Sequence, residues 1–461
     1  EAFSDKFVGS FQTVRGRDGG EFCLRDEMSF PEFEGVISRM ASKAVGEGRI
    51  SAELMRDAPT AVRRQLFEAL RDDACSGRIP DSWRCVIYVL LVKDPNKADL
   101  VKDRREIALM AQQMKLALHL VRRASYSRIS CRLHSAQVGW KAGFGTSPAS
   151  MAMSAAIDQA RTLRHTLFIL YIDLSQMFPR IDRKCLRVAE LAHGLPEQVV
   201  ALAAAIYGAG TRDDGTTEGI SCRFDSAAGL CDGFENHMGA LMGCVLSADK
   251  AKVFLNAIIV AIDASARGVR LWGTADDDAR SDAVERLAQM AFGDDWAGVF
   301  ESSAELHRAW GCWRLWAPMG NSKIGSKVRK PGGEFEKTVV TGVQFIDGVA
   351  KSISDPRLPL AETDEKGDTR YVQFAKHDDV YKHIGVRRRA DGDMAEAIRS
   401  FAKLWDAALA RLRRLSRPDH KEFMTLSDVL LGGLAGFYLQ FIPITRSEAD
   451  RLEVRWRKVY N

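Results

Sequence analysis

Hydrophobic residues recur along the chain with two different spacings, which predicts a mixture of helices and strands. From about Phe33 to Arg78 apolar residues recur at helical spacing, with a polar break between two stretches. Val86 to Val92 is instead a continuous apolar run after Pro80, as is typical of a buried strand. Residues 105–129 return to helical spacing, so we expect a second helical stretch there.

The middle of the chain alternates in the same way. The run "TLFILYIDL" (166–174) predicts a buried strand that ends on Asp173, and helical spacing predicts helices near 184–207 and 247–266. Residues 209–238 are rich in Gly and Asp and predict a loop or small insertion. The stretch "LAQMAFGDDWAGVF" (287–300) has the pattern of a β-hairpin, with a tight turn between two apolar strands.

The last third predicts a helix around 303–316, short strands at 337–346 and a polar connection at 354–370. From about residue 394 onward the spacing is helical again. Strands and helices therefore alternate irregularly, which favours an α+β fold with a helical last domain.

Composition narrows the class of protein only slightly. The 461 residues are 46% hydrophobic and 28% charged, as in ordinary globular proteins, and the net charge of +5 suits a polyanionic partner without requiring one. The 9 cysteines include no C-x-x-C pair, which argues against a zinc knuckle or disulfide framework and favours a reducing, intracellular compartment. No run of 18 apolar residues predicts a membrane span, and a cleaved targeting peptide before Glu1 stays open.

Two acidic positions are candidates for metal chemistry. Asp173 ends an apolar strand, and the pair Asp294–Asp295 interrupts apolar sequence on both sides. Carboxylates on two strands from distant parts of the chain would form an oxygen pocket suited to Mg²⁺, and paired Mg²⁺ ions serve phosphoryl transfer. Alternatively, these aspartates are turn formers at strand ends, which the local pattern alone favours.

Eight motifs in order along the chain resemble those of reverse transcriptases of the non-LTR retrotransposon type. They include "IPDSWRCVIYVLLVKDPNK", "RLHSAQVGWKAGFGTSPAS", "YIDLSQMFPRID", "GALMGCVLSADKAKVFLN", "AFGDD", "GNSKIGSK" and "YKHIG". The resemblance implies a right-hand polymerase fold within the α+β class. Its expected regions are an N-terminal extension (1–32), fingers with a preceding helical region (33–165), a palm with insertions at 209–238 and 271–287 (166–390), and a helical thumb (391–461).

The resemblance also implies roles for individual residues in nucleotide transfer. Asp173, Asp294 and Asp295 would hold two Mg²⁺ ions, and Lys323 would protonate the departing pyrophosphate or stabilise its charge. Four further residues would bind the nucleotide. Lys93 and Arg105 would neutralise the triphosphate, and Phe178 would exclude a 2′-hydroxyl. Gly243 would allow the template or nucleotide to approach the backbone closely. A basic helix would contact nucleic acid through Arg399, Lys403, Arg411, Arg413 and Arg414.

Several positions depart from the family pattern, so alternatives stay open. Met242 stands where the family has glutamine, and Glu106 lies beside the expected triphosphate site. An active, divergent enzyme would use an RNA template, and whether its primer is DNA or RNA stays open. A domesticated, non-catalytic relative would instead bind RNA within a ribonucleoprotein such as a ribosome or spliceosome, alongside other proteins. Gly-Asp-Asp also suits an RNA-dependent RNA polymerase, although Phe178 argues against it.

The expected location is the nucleus or mitochondrion, with no membrane partner.

Overall fold

The computed structural model describes most of the chain. The described residues are 21–41, 46, 50–77, 79–80, 83, 85–92, 104–208, 219–226, 229–271, 285–325, 338–363, 367–414, 420–440 and 442–460. Lys93, most of the expected N-terminal extension (1–32) and most of the expected insertion at 271–287 lie outside these residues.

The described helices are distributed along the whole length of the chain. In order they are α1 (Leu24–Glu27), α2 (Phe30–Ile37), α3 (Ala52–Asp57), α4 (Thr60–Ser76), α5 (Gln112–Val121), α6 (Ser127–Ile129), α7 (Ser147–Thr162), α8 (Met177–Arg180), α9 (Arg183–Ala192), α10 (Glu197–Ile206), α11 (Ser247–Ser265), α12 (Ser303–Met319), α13 (Ala395–Arg413), α14 (His420–Ser427), α15 (Gly433–Tyr438) and α16 (Arg446–Tyr460). Two π-helical turns, Arg122–Tyr126 and Asp428–Gly432, follow α5 and α14 directly.

The described strands are mostly short. In order they are β1 (Cys85–Val92), β2 (Arg104–Leu109), β3 (Thr166–Ile172), β4 (Leu174–Ser175), β5 (Ile220–Ser226), β6 (Gly229–Leu230), β7 (Phe234–Asn236), β8 (Val269–Arg270), β9 (Arg286–Leu287), β10 (Gln289–Phe292), β11 (Asp295–Phe300), β12 (Lys323–Ile324), β13 (Val339–Ile346), β14 (Val349–Ser352), β15 (Pro359–Thr363), β16 (Thr369–Tyr371), β17 (Gln373–Ala375), β18 (Tyr381–His383) and β19 (Val386–Arg388).

The chain forms two compact units, each assembled from separate segments. The first unit comprises 1–134, 175–261 and 316–323, and the second comprises 135–174, 262–315 and 324–461. Both units contain helices and mixed sheets, so the α+β class is confirmed. Each unit draws on more than one of the regions expected from sequence, and the expected domain boundaries stay predictions.

The sheet of the first unit is built around β1. This strand pairs antiparallel with β2 and parallel with β5, and β5 pairs antiparallel with β6 and β7. Residues Val86 and Tyr88, which alternate along β1, are buried, because one face of the strand packs on the core shared with α2, α4 and α5.

Two sequence predictions are wrong in the first unit. Arg104–Leu109 forms β2, so the helix expected over 105–129 begins only at Gln112. The expected loop at 209–238 contains β5, β6 and β7 within its described part. In both cases hydrogen bonds to β1 decide the structure, and for β5 that partner lies far away in sequence, where local spacing carries no information.

A buried ion pair joins two helices of the first unit. Lys250 on α11 lies 2.6 Å from the Glu190 carboxylate on α9, and both side chains are almost fully buried. The Tyr126 hydroxyl donates to the same carboxylate, and the Lys250 ammonium lies 5.4 Å from the centroid of the Tyr207 ring. These contacts satisfy charges that would otherwise be costly inside the protein.

The sheet of the second unit has β3 near its centre. The order is β10-β11-β3-β13-β14, with β17 pairing parallel to β13. β3 is buried on both faces, which explains its continuous apolar sequence and confirms the strand predicted there. The expected polar connection at 354–370 contains β15 and the start of β16.

The C-terminal region is helical as predicted. Helices α13 to α16 enclose apolar clusters in which Phe401, Leu409 and Leu431 are buried. Within the described part of the chain, no helix is long and apolar enough to cross a membrane.

Candidate active site

The hairpin predicted at 287–300 is confirmed. Strands β10 and β11 pair antiparallel, with Phe292 opposite Asp295, so Gly293 and Asp294 form the turn. Gly293 has a φ of +69°, which glycine adopts without steric cost, and Asp294 is not left-handed. These signs match a type II′ turn, whose twist suits antiparallel strands.

The strand register brings two of the predicted carboxylates together. Trp296 on β11 lies opposite Ile172 on β3, and Ala297 lies opposite Tyr171. Extending this register by one residue places Asp295 directly opposite Asp173. Opposed residues of antiparallel strands project to the same face, with Cβ atoms about 4.5–5.5 Å apart. The register therefore places Asp295 closer to Asp173 and leaves Asp294 in the adjoining turn.

Hydrogen bonds fix the backbone of Asp173. Its N–H donates to Thr338 Oγ1 at 3.2 Å, and its carbonyl accepts from the N–H of Gly325 at 2.8 Å. Thr338 in turn donates its own N–H to the Gly325 carbonyl at 3.0 Å. The carboxylate of Asp173 therefore projects from a backbone held on both sides.

A tyrosine lies beside the two opposed carboxylates. The Tyr381 ring stacks on Tyr171, with centroids 4.1 Å apart, and Tyr171 is on the same face of β3 as Asp173. Burial raises the pKa of the Tyr381 phenol well above its usual value, and Tyr171 and the charges of Asp173 and Asp295 add to the shift. Tyr381 therefore stays neutral, and its phenol lies within electrostatic range of both aspartates.

A buried histidine, His383, packs against the ring of Tyr171. The rings of His383 and Tyr171 are 5.1 Å apart, and neither ring nitrogen of His383 has a hydrogen-bond partner among the described residues. Arg388, also buried, donates to Ser154 Oγ at 2.7 Å and to the Ser150 carbonyl at 2.8 Å. Burial, followed by the Arg388 charge, lowers the pKa of His383 from 6.5 to about 3.

The buried histidine predicts a specific acid sensitivity. Because the folded pKa lies below the unfolded one, the unfolded state takes up the proton first as the pH falls below about 6.5. His383 should therefore remove about 2 kcal/mol of stability between pH 8 and pH 5. Between pH 8 and pH 5, His383→Phe should lose about 2 kcal/mol less free energy of unfolding than the wild type. Urea unfolding at a series of pH values measures this difference. The matched variant His307→Phe, at an exposed position, should follow the wild-type profile; identical profiles for all three proteins would contradict this assignment.

A second segment holds the hairpin turn from the side. Gln137 is fully buried, and its Oε1 accepts from the N–H groups of Gly139 and Gly293, each at 3.0 Å. Its Nε2 donates to the Gly293 carbonyl at 3.1 Å. A Cβ on Gly293 would lie 2.8 Å from the Trp140 ring, so this ring packs directly under the turn. We call residues 137–140 the clamp segment.

The predicted nucleotide-binding residues of the first unit have defined local surroundings. Arg105 is exposed on β2, and strand alternation directs Glu106 to the opposite face, which separates the carboxylate from the predicted phosphate contact. Gly243 has a φ of +108°, and a Cβ there would lie 2.6 Å from the Ala108 carbonyl oxygen. The glycine is therefore required for packing against β2, whether or not a ligand approaches it.

Phe178 and Lys323 also belong to the first unit, whereas the three aspartates belong to the second. Phe178 is half-buried on the short helix α8, and its carbonyl accepts from the N–H of Ala240 at 2.7 Å. Lys323 is exposed on β12. The predicted roles of both residues stay predictions.

The first unit also contains a basic cavity of about 420 Å³. Its described lining includes no aspartate or glutamate, and its basic members are Arg39, Lys115, His119, Arg122 and Arg123. Arg122 also pairs with the buried carboxylate of Asp249, which fixes one guanidinium at the cavity wall. Such a lining is suited to phosphate oxygens.

The basic helix predicted to contact nucleic acid is α13. Arg399, Lys403, Arg411, Arg413 and Arg414 are all exposed. Arg399 forms an ion pair with Glu396 at 2.6 Å, on the solvent side of the helix. The apolar side of the helix, including Phe401 and Leu412, is buried as the sequence pattern predicts.

The opposed aspartates form an incomplete ligand set by themselves. Among the described residues, no group of three or more His, Cys, Asp or Glu side chains is arranged to hold a metal ion. Mg²⁺ is commonly bound through one or two carboxylates, with water and substrate phosphates as the remaining ligands. Asp173, directly after β3, and Asp295, at the start of β11, fit that requirement, with Asp294 nearby in the turn.

Sequence reasoning assigned no role to three residues of this site. Gln137 and Tyr381 lie within quoted motifs, but local spacing does not reveal that Gln137 is buried or that Tyr381 lies beside the aspartates. Thr338 carries no motif, and only the folded backbone shows its bond to Asp173. Comparison with known proteins adds no family, because no family model and no curated protein matches the chain.

Proposed function

We propose that the protein is an RNA-directed DNA polymerase that adds deoxynucleotides to a primer by two-metal nucleotidyl transfer. The observation that carries the proposal is the register of β3 and β11, which, extended by one residue beyond Ile172 and Trp296, brings Asp173 and Asp295 opposite each other. The ordered motifs that resemble non-LTR reverse transcriptases supply the reaction class and the right-hand polymerase fold. Basic surfaces in both units provide places for a polyanionic substrate.

In this proposal the chain contributes ligands, orientation and charge. Asp173 and Asp295, with Asp294 in the turn, would hold two Mg²⁺ ions. Paired Mg²⁺ ions, when bound, stabilise the attacking and leaving oxygens of phosphoryl transfer. Tyr381 stays neutral and can donate a hydrogen bond to a carboxylate without adding charge. The backbone bonds of Asp173 keep its carboxylate in place, as misplacement by about 1 Å costs roughly a hundredfold in rate.

The remaining roles follow from the resemblance. Lys93 and Arg105 would neutralise the triphosphate, and Lys323 would stabilise or protonate pyrophosphate. Phe178 would exclude the 2′-hydroxyl of a ribonucleotide. Gly243 would allow close approach of template or nucleotide, in addition to its packing role against Ala108.

Primer extension tests the proposal directly. We expect the purified protein to extend a labelled DNA primer on an RNA template with deoxynucleotides and Mg²⁺. Ribonucleotides should be incorporated at least about tenfold more slowly, as a crowded pocket discriminates by that order. Preferential incorporation of ribonucleotides would favour an RNA polymerase instead. Lack of extension on RNA and DNA templates with Mg²⁺ and with Mn²⁺ would exclude the polymerase proposal.

A non-catalytic RNA-binding protein is the second candidate. The basic cavity and the exposed basic residues of α13 favour it, because they would serve RNA binding without any metal. This candidate predicts that the purified protein retains RNA through washes at moderate salt. It also predicts that Asp295→Asn changes neither RNA retention nor the protein's function in cells.

A further inference from the structure

We propose that Gln137 is a positioning residue, which holds the turn of the β10–β11 hairpin so that Asp294 and Asp295 present a fixed arrangement to metal and nucleotide. The inference rests on the proposed function for its catalytic consequence. Its structural content, a side chain that determines the conformation of the turn, is independent of that function.

The side-chain amide of Gln137 satisfies both backbone polar groups of Gly293. Its Oε1 accepts from the Gly293 N–H at 3.0 Å, and its Nε2 donates to the Gly293 carbonyl at 3.1 Å. The same Oε1 accepts from the N–H of Gly139 at 3.0 Å. Because Gln137 is fully buried, water cannot replace these bonds when the side chain is removed.

The clamp segment is itself attached to the hairpin. The Val138 N–H donates to the Ala291 carbonyl at 2.9 Å, and the Ala291 N–H donates to the Ala136 carbonyl at 2.8 Å. Gln137 therefore lies beside Ala291 as a parallel bridge on the outer side of β10. Gly293 lies two residues after Ala291 in the hairpin. The pairing with Ala291 therefore holds the Gln137 amide at a defined distance from the turn.

Close packing leaves the turn little freedom on this side. A Cβ on Gly139 would lie 1.8 Å from the Gly293 nitrogen, so only glycine allows this approach of the two backbones. Trp140 has a φ of +54°, which is uncommon for a bulky residue, and its ring lies under Gly293. A backbone strain of this kind persists only where the surrounding structure enforces it, and such strain is concentrated at functional sites.

The catalytic consequence follows from where the clamp acts. The turn joins β10 and β11 at one end of the buried sheet, where it carries Asp294 and leads directly into Asp295. Loss of the amide leaves two N–H groups and one carbonyl without their partner, so the turn can relax. A shift of about 1 Å in a catalytic group costs roughly a hundredfold in rate.

The test compares two near-isosteric substitutions, one in the clamp segment and one in the hairpin. Gln137→Leu removes the clamp. Gln289→Leu is the matched control, because Gln289 is equally buried and accepts from Trp296 Nε1 at 2.9 Å, away from the turn. For Gln137→Leu we expect kcat in primer extension to fall about 10- to 100-fold. The nucleotide KM should change less than about threefold, and the Mg²⁺ concentration for half-maximal activity should rise. Gln289→Leu should lower the melting temperature while kcat and the Mg²⁺ requirement stay near wild type.

Two further measurements do not depend on activity. Amide exchange at Gly293 should accelerate about tenfold or more in Gln137→Leu and stay unchanged in Gln289→Leu, since only the first loses the bond to that N–H. Mn²⁺ titration should show weaker binding in Gln137→Leu. An inactive wild-type protein with these differences intact would exclude the polymerase but leave the clamp in place. Equal Gly293 exchange in both variants, or equal kcat and Mg²⁺ dependence, would overturn the role of Gln137.

Discussion

Replacing Asp173 or Asp295 with asparagine should lower the rate of primer extension about a thousandfold or more. Asparagine keeps the shape of the side chain but removes the negative charge that Mg²⁺ requires. Metal ions contribute several kcal/mol to stabilising phosphoryl transfer, and each 1.36 kcal/mol corresponds to about tenfold in rate. Single-turnover extension with saturating nucleotide measures this loss.

The same substitutions should make the metal-free protein more stable. Like charges directly opposite on antiparallel strands destabilise the pair by about 0.2–1 kcal/mol, and asparagine removes one of them. Thermal unfolding in EDTA should therefore show a higher melting temperature for Asp173→Asn and Asp295→Asn than for wild type. Asp294→Asn should change it less, because Asp294 lies in the turn rather than opposite Asp173.

Asp347→Asn provides the matched control. Asp347 lies in the exposed turn between β13 and β14 of the same sheet, where it pairs with Arg164 at 3.1 Å. This substitution should leave extension unchanged and affect stability only slightly, since exposed ion pairs contribute little. Wild-type activity in both Asp173→Asn and Asp295→Asn would contradict the proposed catalytic pair. A lower melting temperature in both would contradict their opposed arrangement.

Lys250→Met should lower the free energy of unfolding by about 3–5 kcal/mol, because it leaves the Glu190 carboxylate buried without its cation. Methionine keeps the unbranched shape of the lysine side chain with one heavy atom fewer, so most of the loss reflects charge rather than a cavity. The double variant Glu190→Gln/Lys250→Met should recover much of the loss. Glutamine still accepts the Tyr126 hydroxyl bond, and no charge is left in the interior.

Urea unfolding monitored by circular dichroism measures this effect. Lys184→Met, on the exposed side of α9, should stay within about 0.5 kcal/mol of wild type, as surface substitutions usually do. A loss below about 1 kcal/mol in Lys250→Met, with no recovery in the double variant, would show that the pair is hydrated or rearranged rather than buried.

The sequence predicts the elements of the candidate site better than its contacts. The apolar run of β3 and the Gly293 turn are local signals, and both elements are confirmed. Which aspartate lies opposite Asp173 depends on strand register, and a shift by one residue would exchange faces. The order of the motifs names both Asp294 and Asp295 but cannot determine that register, so it cannot tell which of the two lies opposite Asp173.

The errors in the first unit have a related cause. The spacing of residues 105–129 predicts a helix, yet Arg104–Leu109 forms β2 by pairing with β1. The composition of residues 209–238 predicts a loop or insertion, whereas Ile220 and Cys222 of β5 alternate into the core because β1 lies beside them. The role of Gln137 could not be predicted for a similar reason. A polar residue in an irregular segment is expected at the surface, and only its bonds to Gly293 show that it is buried.

The position of β3 has a consequence for synthesis of the protein. Its partners on either side, β11 and β13, lie roughly 125 and 170 residues later in the chain. At about 5–20 residues per second, a ribosome needs several seconds or more before either neighbour emerges. During that interval an apolar strand with two unpaired edges is available to other chains. Expression at lower temperature, or together with chaperones that bind extended apolar segments, should therefore raise the yield of folded protein.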